Sequence, residues 1–143
     1  MVKVRFALRN ATVADVMSHE FAVLAPDDSL GGCLEKMVRS GQEDFPVVQE
    51  GRLVGIVDRN AIRSALQQTG SDTRADQVMQ KGFPMLSPET PLADVQVRML
   101  GEDWKALPVR HDGMLIGWLT REQIGRFFAM QEALSGRKRR LPR

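Results

Sequence analysis

Phe45-Pro46-Val47-Val48-Gln49-Glu50-Gly51-Arg52-Leu53-Val54-Gly55-Ile56-Val57 and Leu107-Pro108-Val109-Arg110-His111-Asp112-Gly113-Met114-Leu115-Ile116-Gly117-Trp118-Leu119 carry one pattern twice. Phe45 to Val48 and Leu53 to Val57 flank Glu50-Gly51; Leu107 to Arg110 and Met114 to Leu119 flank Asp112-Gly113. Glycine accepts positive φ freely, so such a turn between two apolar runs predicts a β-hairpin in each place.

The likeness extends beyond the hairpins. Displacing the sequence by 62 residues brings Val16, Met17, Phe21, Leu24, Pro26, Leu30 and Met37 onto Val78, Met79, Phe83, Leu86, Pro88, Leu92 and Met99. Pro46, Val47, Gly51, Leu53, Gly55, Arg59 and Ile62 likewise meet Pro108, Val109, Gly113, Leu115, Gly117, Arg121 and Ile124. These 14 identities fall within the 52 positions from Asp15 to Leu66, without a gap. Chance gives roughly three at ordinary residue frequencies.

Each copy therefore reads the same way. A short helical segment comes first, Val13 to Met17 and Ala75 to Met79. An extended stretch follows, Phe21 to Ala25 before Pro26 and Phe83 to Ser87 before Pro88, because a residue before proline avoids the α region. Next is a helix with Leu30, Leu34, Met37 and Val38 on one apolar face, or Leu92, Val95, Met99 and Leu100 in the second copy. Ser29 suits its N-cap and Pro91 the start of its counterpart. After the hairpin a second helix is lined by Ile62, Ala65 and Leu66, or by Ile124, Phe127 and Phe128. A unit of about 60 residues is near the lower limit for independent stability, so the two should share an interior. The expected fold is α/β (α+β), with tandem βαββα repeats at 11–69 and 73–134 packed about a pseudo-twofold axis. Gln67 to Arg74 reads as the polar link and 135–143 as a basic, solvated tail.

Charge and composition narrow the function. The net charge of +2 is concentrated in Arg137, Lys138, Arg139, Arg140 and Arg143; the rest of the chain has 15 basic against 18 acidic side chains. A body with net negative charge argues against a nucleic-acid-binding face. No apolar run approaches the roughly 20 residues of a membrane span, and no signal peptide opens the chain, so a cytoplasmic location is expected. Membrane contact would come only through a parent protein or through the basic tail on anionic lipid. The lone Cys33 reads as a buried apolar thiol, since a structural zinc site needs about four ligands. With no nucleophile–base motif and no glycine-rich phosphate loop, the chain reads as non-catalytic.

The order of these elements resembles the cystathionine β-synthase (CBS) motif family, whose tandem pairs are called Bateman modules. The matching residues are Asp15-Val16-Met17 and Gln77-Val78-Met79, Phe45-Pro46-Val47-Val48 and Leu107-Pro108-Val109, Gly51 and Gly113, and the strands Leu53 to Val57 and Leu115 to Leu119. The resemblance implies a regulatory module that senses AMP, ADP, ATP or S-adenosylmethionine between its copies and associates as a homodimer. It also implies a ligand motif, with a Ser or Thr at a helix start beside the phosphates and an Asp three residues on for the ribose. The first copy departs from it twice, with Asp58 for the hydroxyl residue and Ala61 for the Asp; Asp58-Arg59 then reads chiefly as a helix cap. The second copy keeps Thr120 but has Gln123 for the Asp, and its Arg121 either reaches a phosphate or sits in solvent. The pocket favoured by sequence is thus built from Thr120, Arg121 and Gln123, with adenine contacts from Phe83-Pro84-Met85 and Leu107-Pro108. Trp118 reads as core packing.

These departures keep a second reading open, a degenerate pair that binds no nucleotide and serves as a protein-interaction module. Gly41 to Val48 and Arg121 to Phe128 are also similar to the CBS pair following the membrane core of some site-2-type zinc proteases, which implies a parent or partner enzyme domain. The chain itself has no His-Glu-x-x-His motif.

Overall fold

The computed structural model describes residues 10–136; Val2 to Leu8 and the basic run Arg137 to Arg143 lie outside them. The elements are α1 (Val13–Val16), α2 (Leu30–Ser40), β1 (Asp44–Gln49), β2 (Arg52–Asp58), α3 (Arg59–Gln68), α4 (Ala75–Val78), α5 (Leu92–Gly101), β3 (Ala106–His111), β4 (Met114–Thr120) and α6 (Arg121–Gly136). The strands form a mixed α+β arrangement with sheet order β1-β2-β4-β3. Both hairpins form as expected. Glu50 and Gly51 take φ of 52° and 79°, and Asp112 and Gly113 take 52° and 81°. That pair of left-handed residues is the type I′ turn, whose twist matches the flanking strands. Leu24 and Leu86, in the extended stretches, bridge Val47 and Val109 in parallel, adding a third run to each hairpin.

The halves meet at the turns. Arg52 pairs with Met114, its own counterpart at the offset of 62, so the pseudo-dyad passes through this contact. The isolated β-bridges between the halves come in equivalent pairs. Ser18 pairs with Trp118 and Gln80 with Ile56; Thr12 bridges Pro91 and Arg74 bridges Ser29. The first N–H groups of α1 donate to Thr90 and Pro88 carbonyls at 2.9 and 3.0 Å, and those of α4 to Asp28 and Pro26 at 2.8 and 3.0 Å. Donors that a four-residue helix leaves unpaired are thus satisfied by the opposite copy.

The cores follow the same exchange. Val13 and Ala11, with Val16 and Met17 beside them, pack with Leu86, Leu92, Val95, Leu107, Val109, Leu119 and Ile124 of the second copy. Ala75, with Val78 and Met79, packs with Leu24, Leu30, Phe45, Val47, Val57 and Ile62 of the first. Each short helix completes the interior of the other repeat, forming lobe one around β1–β2 and lobe two around β3–β4. Gly55 and Gly117 permit this. A Cβ at Gly55 would lie 2.6 Å from Met79 Cγ, and one at Gly117 would lie 2.9 Å from Met17 Cγ. The repeated methionine and glycine are the two sides of one contact.

One expectation needs correction. Leu34 and Val38 do not share the buried face of α2; they are 41% and 76% exposed, while Leu30 and Cys33 fill the interior. Cys33 takes the inward place because the face turned to β1 is centred on i and i+3 from Leu30. Burial, with Asp28 nearby, pushes its thiol up to about 11, as expected of an inert apolar cysteine. Ser29 does cap α2, accepting from the Gly32 N–H at 3.1 Å. Pro91 sits at the N-cap of α5, at the helix start as expected.

Candidate functional site

The two helix starts that follow β2 and β4 are equivalent in sequence but differ in what fills the space before them. At the second, Thr120 caps α6 by accepting the Gln123 N–H at 3.1 Å, and Gln123 Oε1 accepts the Thr120 N–H at 2.8 Å. This is a capping box, and Thr-x-x-Gln is its sequence signature. Gln123 Nε2 then donates to Ser18 Oγ at 2.6 Å, latching α6 to the other copy. Trp118 is 2% exposed, packed with Ile56 and Ala106, and stacked on Phe21 at 6.2 Å between ring centroids. Its indole Nε1 is buried without a hydrogen-bond partner.

Other residues of the sequence-favoured pocket are engaged elsewhere. Arg121 neither faces a phosphate nor lies free in solvent. Its guanidinium donates to the carbonyls of Met99, Glu102 and Trp104 at 2.7, 3.0 and 2.8 Å, tying α6 to the end of α5. The last carbonyls of a helix lack internal partners, and a cation there also complements the dipole. Leu107 is buried in lobe two and its backbone serves the ladder, so it offers no side-chain contact to a ligand. Pro108, also buried, contributes its carbonyl to Leu86 N–H. Phe83 is half-buried against Ile56, Ala106 and Trp118; Pro84 is half-buried and Met85 largely exposed. The structure therefore joins Thr120 and Gln123 in one cap, while the Arg121 guanidinium is committed to carbonyls at and beyond the end of α5 and the Leu107 side chain to the interior of lobe two.

At the first helix start the same positions leave room. Asp58 caps α3, its Oδ1 accepting the Ala61 N–H at 2.7 Å. Ala61 stands where Gln123 stands in the other copy, so no latch reaches Gln80, the equivalent of Ser18. Ile56 stands where Trp118 stands, and is smaller. A cleft of about 560 Å³ results, lined by Ile56, Asp58, Arg59 and Arg63, by Glu43 and Asp44, and by Asp103 to Ala106 across the pseudo-dyad. Its volume lies within the range of small-molecule sites, about 300–1,000 Å³. Ile56 and Ala106 are buried at its floor, Asp44 and Asp58 are half-buried, and Glu43, Arg59, Arg63, Asp103 and Lys105 are exposed at the rim. Glu43 pairs with Arg59 at 3.4 Å.

Asp44 and Asp58 are register partners on β1 and β2. Like charges opposed across a ladder are unfavourable. Burial, then Asp58 and Glu43 against Lys105, pushes the Asp44 carboxyl from 3.8 up to about 6. The unfolded carboxyl ionises near 3.8 whereas the folded one keeps its proton to about 6. The cost to the fold accrues as pH rises from about 4 to about 6 and is constant above. Asp44→Asn is accordingly expected to raise stability by about 1 kcal/mol at pH 7.5. Full conversion of the displacement would give about 3 kcal/mol, but solvent screens a half-buried group. Urea melts check it: the gain should vanish at pH 4, and an equal gain at both pH values would contradict the assignment.

The model of the CBS domain family matches residues 13–68 and again 75–129. The chain belongs to the CBS domain family. This CBS pair is 27% identical over 116 residues to an A-adding tRNA nucleotidyltransferase of Geobacter sulfurreducens, covering 81% of this chain and 13% of that protein. It is 28% identical over 134 residues to protein MJ1225 of Methanocaldococcus jannaschii, covering 84% of this chain and 48% of the other. The CBS pair thus spans less than half the length of these sequence relatives. Among solved structures it resembles CBSX2 in complex with AMP, at 27% identity and a TM-score of 0.73, covering 84% of this chain and 96% of that one. It also resembles the CBS pair of protein MJ0100, solved with 5′-methylthioadenosine and S-adenosylmethionine, at 24% identity and a TM-score of 0.74, covering 85% and 98%. Among the described residues of this CBS pair no helix is long and apolar enough to cross a membrane.

Glu43, Asp44, Asp103 and Lys105 escape a motif-based reading because the family's ligand motif does not include them. The turn at Glu50-Gly51 alone would set Asp44 opposite Val57; a bulge between Val47 and Val48 shifts the register by one and sets it opposite Asp58, which no local motif signals.

Proposed function

We propose that this CBS pair is a non-catalytic regulatory module that takes one adenosine-type ligand per chain, in the cleft beside Asp58 rather than at Thr120. The observation that carries the reading is the asymmetry of the two helix starts. An open cleft adjoins Ile56 and Asp58 at one, while at the other the equivalent positions hold the buried Trp118 and the Gln123–Ser18 latch. The AMP bound by CBSX2 supports the ligand class. Phe83 packs against Ile56 and Ala106 and so supports the apolar floor on which an adenine ring would lie. The module would act on a parent or partner domain, in keeping with the small share of its relatives that it spans.

Calorimetry with AMP, ADP, ATP and S-adenosylmethionine tests this. Saturable binding of at least one, at one site per chain, is the expected result. Two sites per chain would remove the asymmetric reading, and no binding by any of the four would remove ligand sensing. A specific observation favours the second reading in that event. Leu34 and Val38 on α2 and Val97 on α5 are exposed, the last at 71%, and suit contact with a second copy or a partner domain. A homodimer is accordingly part of the proposal.

A further inference from the structure

The cleft is unlike a phosphate site in the layout of its charges. Where the helix start would offer bare N–H groups to an anion, Asp58 already accepts the Ala61 N–H and places its own carboxylate there. Asp44 stands opposite it on the neighbouring strand. These two carboxyls are the half-buried charged groups of the lining, above a floor of buried Ile56 and Ala106. Compensating cations are present, but Arg59, Arg63 and Lys105 are all exposed at the rim, and Arg59 is shared with Glu43. Solvent and salt weaken charges at the rim more than charges at the floor. The depth order is therefore apolar, then anionic, then a rim of mixed sign in which Arg59, Arg63 and Lys105 stand with Glu43 and Asp103.

The geometry points to a cleft that selects adenosine-type ligands bearing a positive group, or no charge, over phosphorylated ones, with Asp44 and Asp58 as the specificity-determining residues. This rests on the ligand-site reading above. An apolar ring system lies on Ile56 and Ala106, a cationic centre on the ribose side meets the two carboxylates, and any anionic group of the same ligand extends to the rim. A phosphate on the same carbon would be held against Asp58 in partly desolvated surroundings, where like charges repel most strongly. The cation is an organic one, since among the described residues no group of three or more His, Cys, Asp or Glu is placed to hold a metal ion. The altered charge needs no change of fold, because Asp serves as an N-cap as well as Ser or Thr does.

The test is calorimetry of the whole chain at pH 7.5 with four probes that share the adenosine body: adenosine, AMP, 5′-methylthioadenosine and S-adenosylmethionine. Adenosine and AMP differ by the phosphate alone. S-adenosylmethionine is expected to bind most tightly, the two uncharged nucleosides next, and AMP at least about tenfold more weakly than adenosine. In Asp58→Asn, which keeps the cap, and in Asp44→Asn, that disadvantage of AMP should shrink about tenfold and the advantage of S-adenosylmethionine should fall. AMP binding more tightly than adenosine in the unaltered chain overturns the selectivity while leaving the ligand site standing. So does an order unchanged in Asp58→Asn, whatever becomes of Asp44→Asn. No binding of any probe removes the site, and the selectivity with it.

Discussion

Val13→Asp is expected to cost at least about 3 kcal/mol and to loosen lobe two ahead of lobe one. Val13 is fully buried, and its neighbours Leu86, Leu92, Val95, Leu107 and Leu119 all belong to the other repeat. The substitution forfeits about 1.5–3 kcal/mol of apolar burial and places a carboxylate among aliphatic groups. Hydrogen exchange of intact chains checks the location. Amides of β3 and β4 should lose more protection than those of β1 and β2, although β1 begins 31 positions after Val13 and β3 begins 93 after it. Ala75→Asp, the mirror substitution, should reverse the pattern. If Val13→Asp deprotects β1 and β2 first, the exchange of short helices is wrong.

Gly55→Ala is expected to cost about 2 kcal/mol. Glycine inside a strand ordinarily weakens it, and alanine would normally gain about 0.5–1 kcal/mol. Here the sign reverses, because the new Cβ would lie 2.6 and 2.9 Å from Met79 Cγ and Cβ. Those atoms are close to the Met79 backbone and cannot swing aside as the end of the side chain could, so strand and helix must separate. Denaturant melts of Gly55→Ala, Met79→Ala and the double variant form a cycle. A coupling of at least about 1 kcal/mol, with the double variant less impaired than the sum, is the expected result. A stabilised Gly55→Ala would show that the contact is slack.

Much of the fold was legible because its determinants are local and repeated. Turn glycines fixed both hairpins, and the Pro26 and Pro88 boundaries fixed both helix entries. Asp58 and Ser29 behaved as the caps their chemistry suggested. What sequence could not supply was the partner of each element. A repeat says that Val13 and Ala75 are equivalent, but not that each docks on the far copy, since both alternatives satisfy the same apolar pattern. The site suffered similarly. Thr120, Arg121 and Gln123 matched the expected motif, yet their hydrogen-bonding capacity is spent on a cap, on carbonyl groups and on Ser18. The Thr-x-x-Gln spacing signalled the cap; nothing in the motif signalled the open cleft beside Ile56 and Asp58.

The exchanged first helix also decides where mechanical load enters. Helix α1 lies on lobe two, which is also the lobe that α6 packs against through Ile124, Phe127 and Phe128. Anything joined ahead of Asn10 or behind Gly136 therefore pulls first on one and the same half, and the half holding Asp58 receives that pull at second hand. Load passes between the halves through the Arg52–Met114 seam, the paired bridges of the exchanged helices and the Gln123–Ser18 latch.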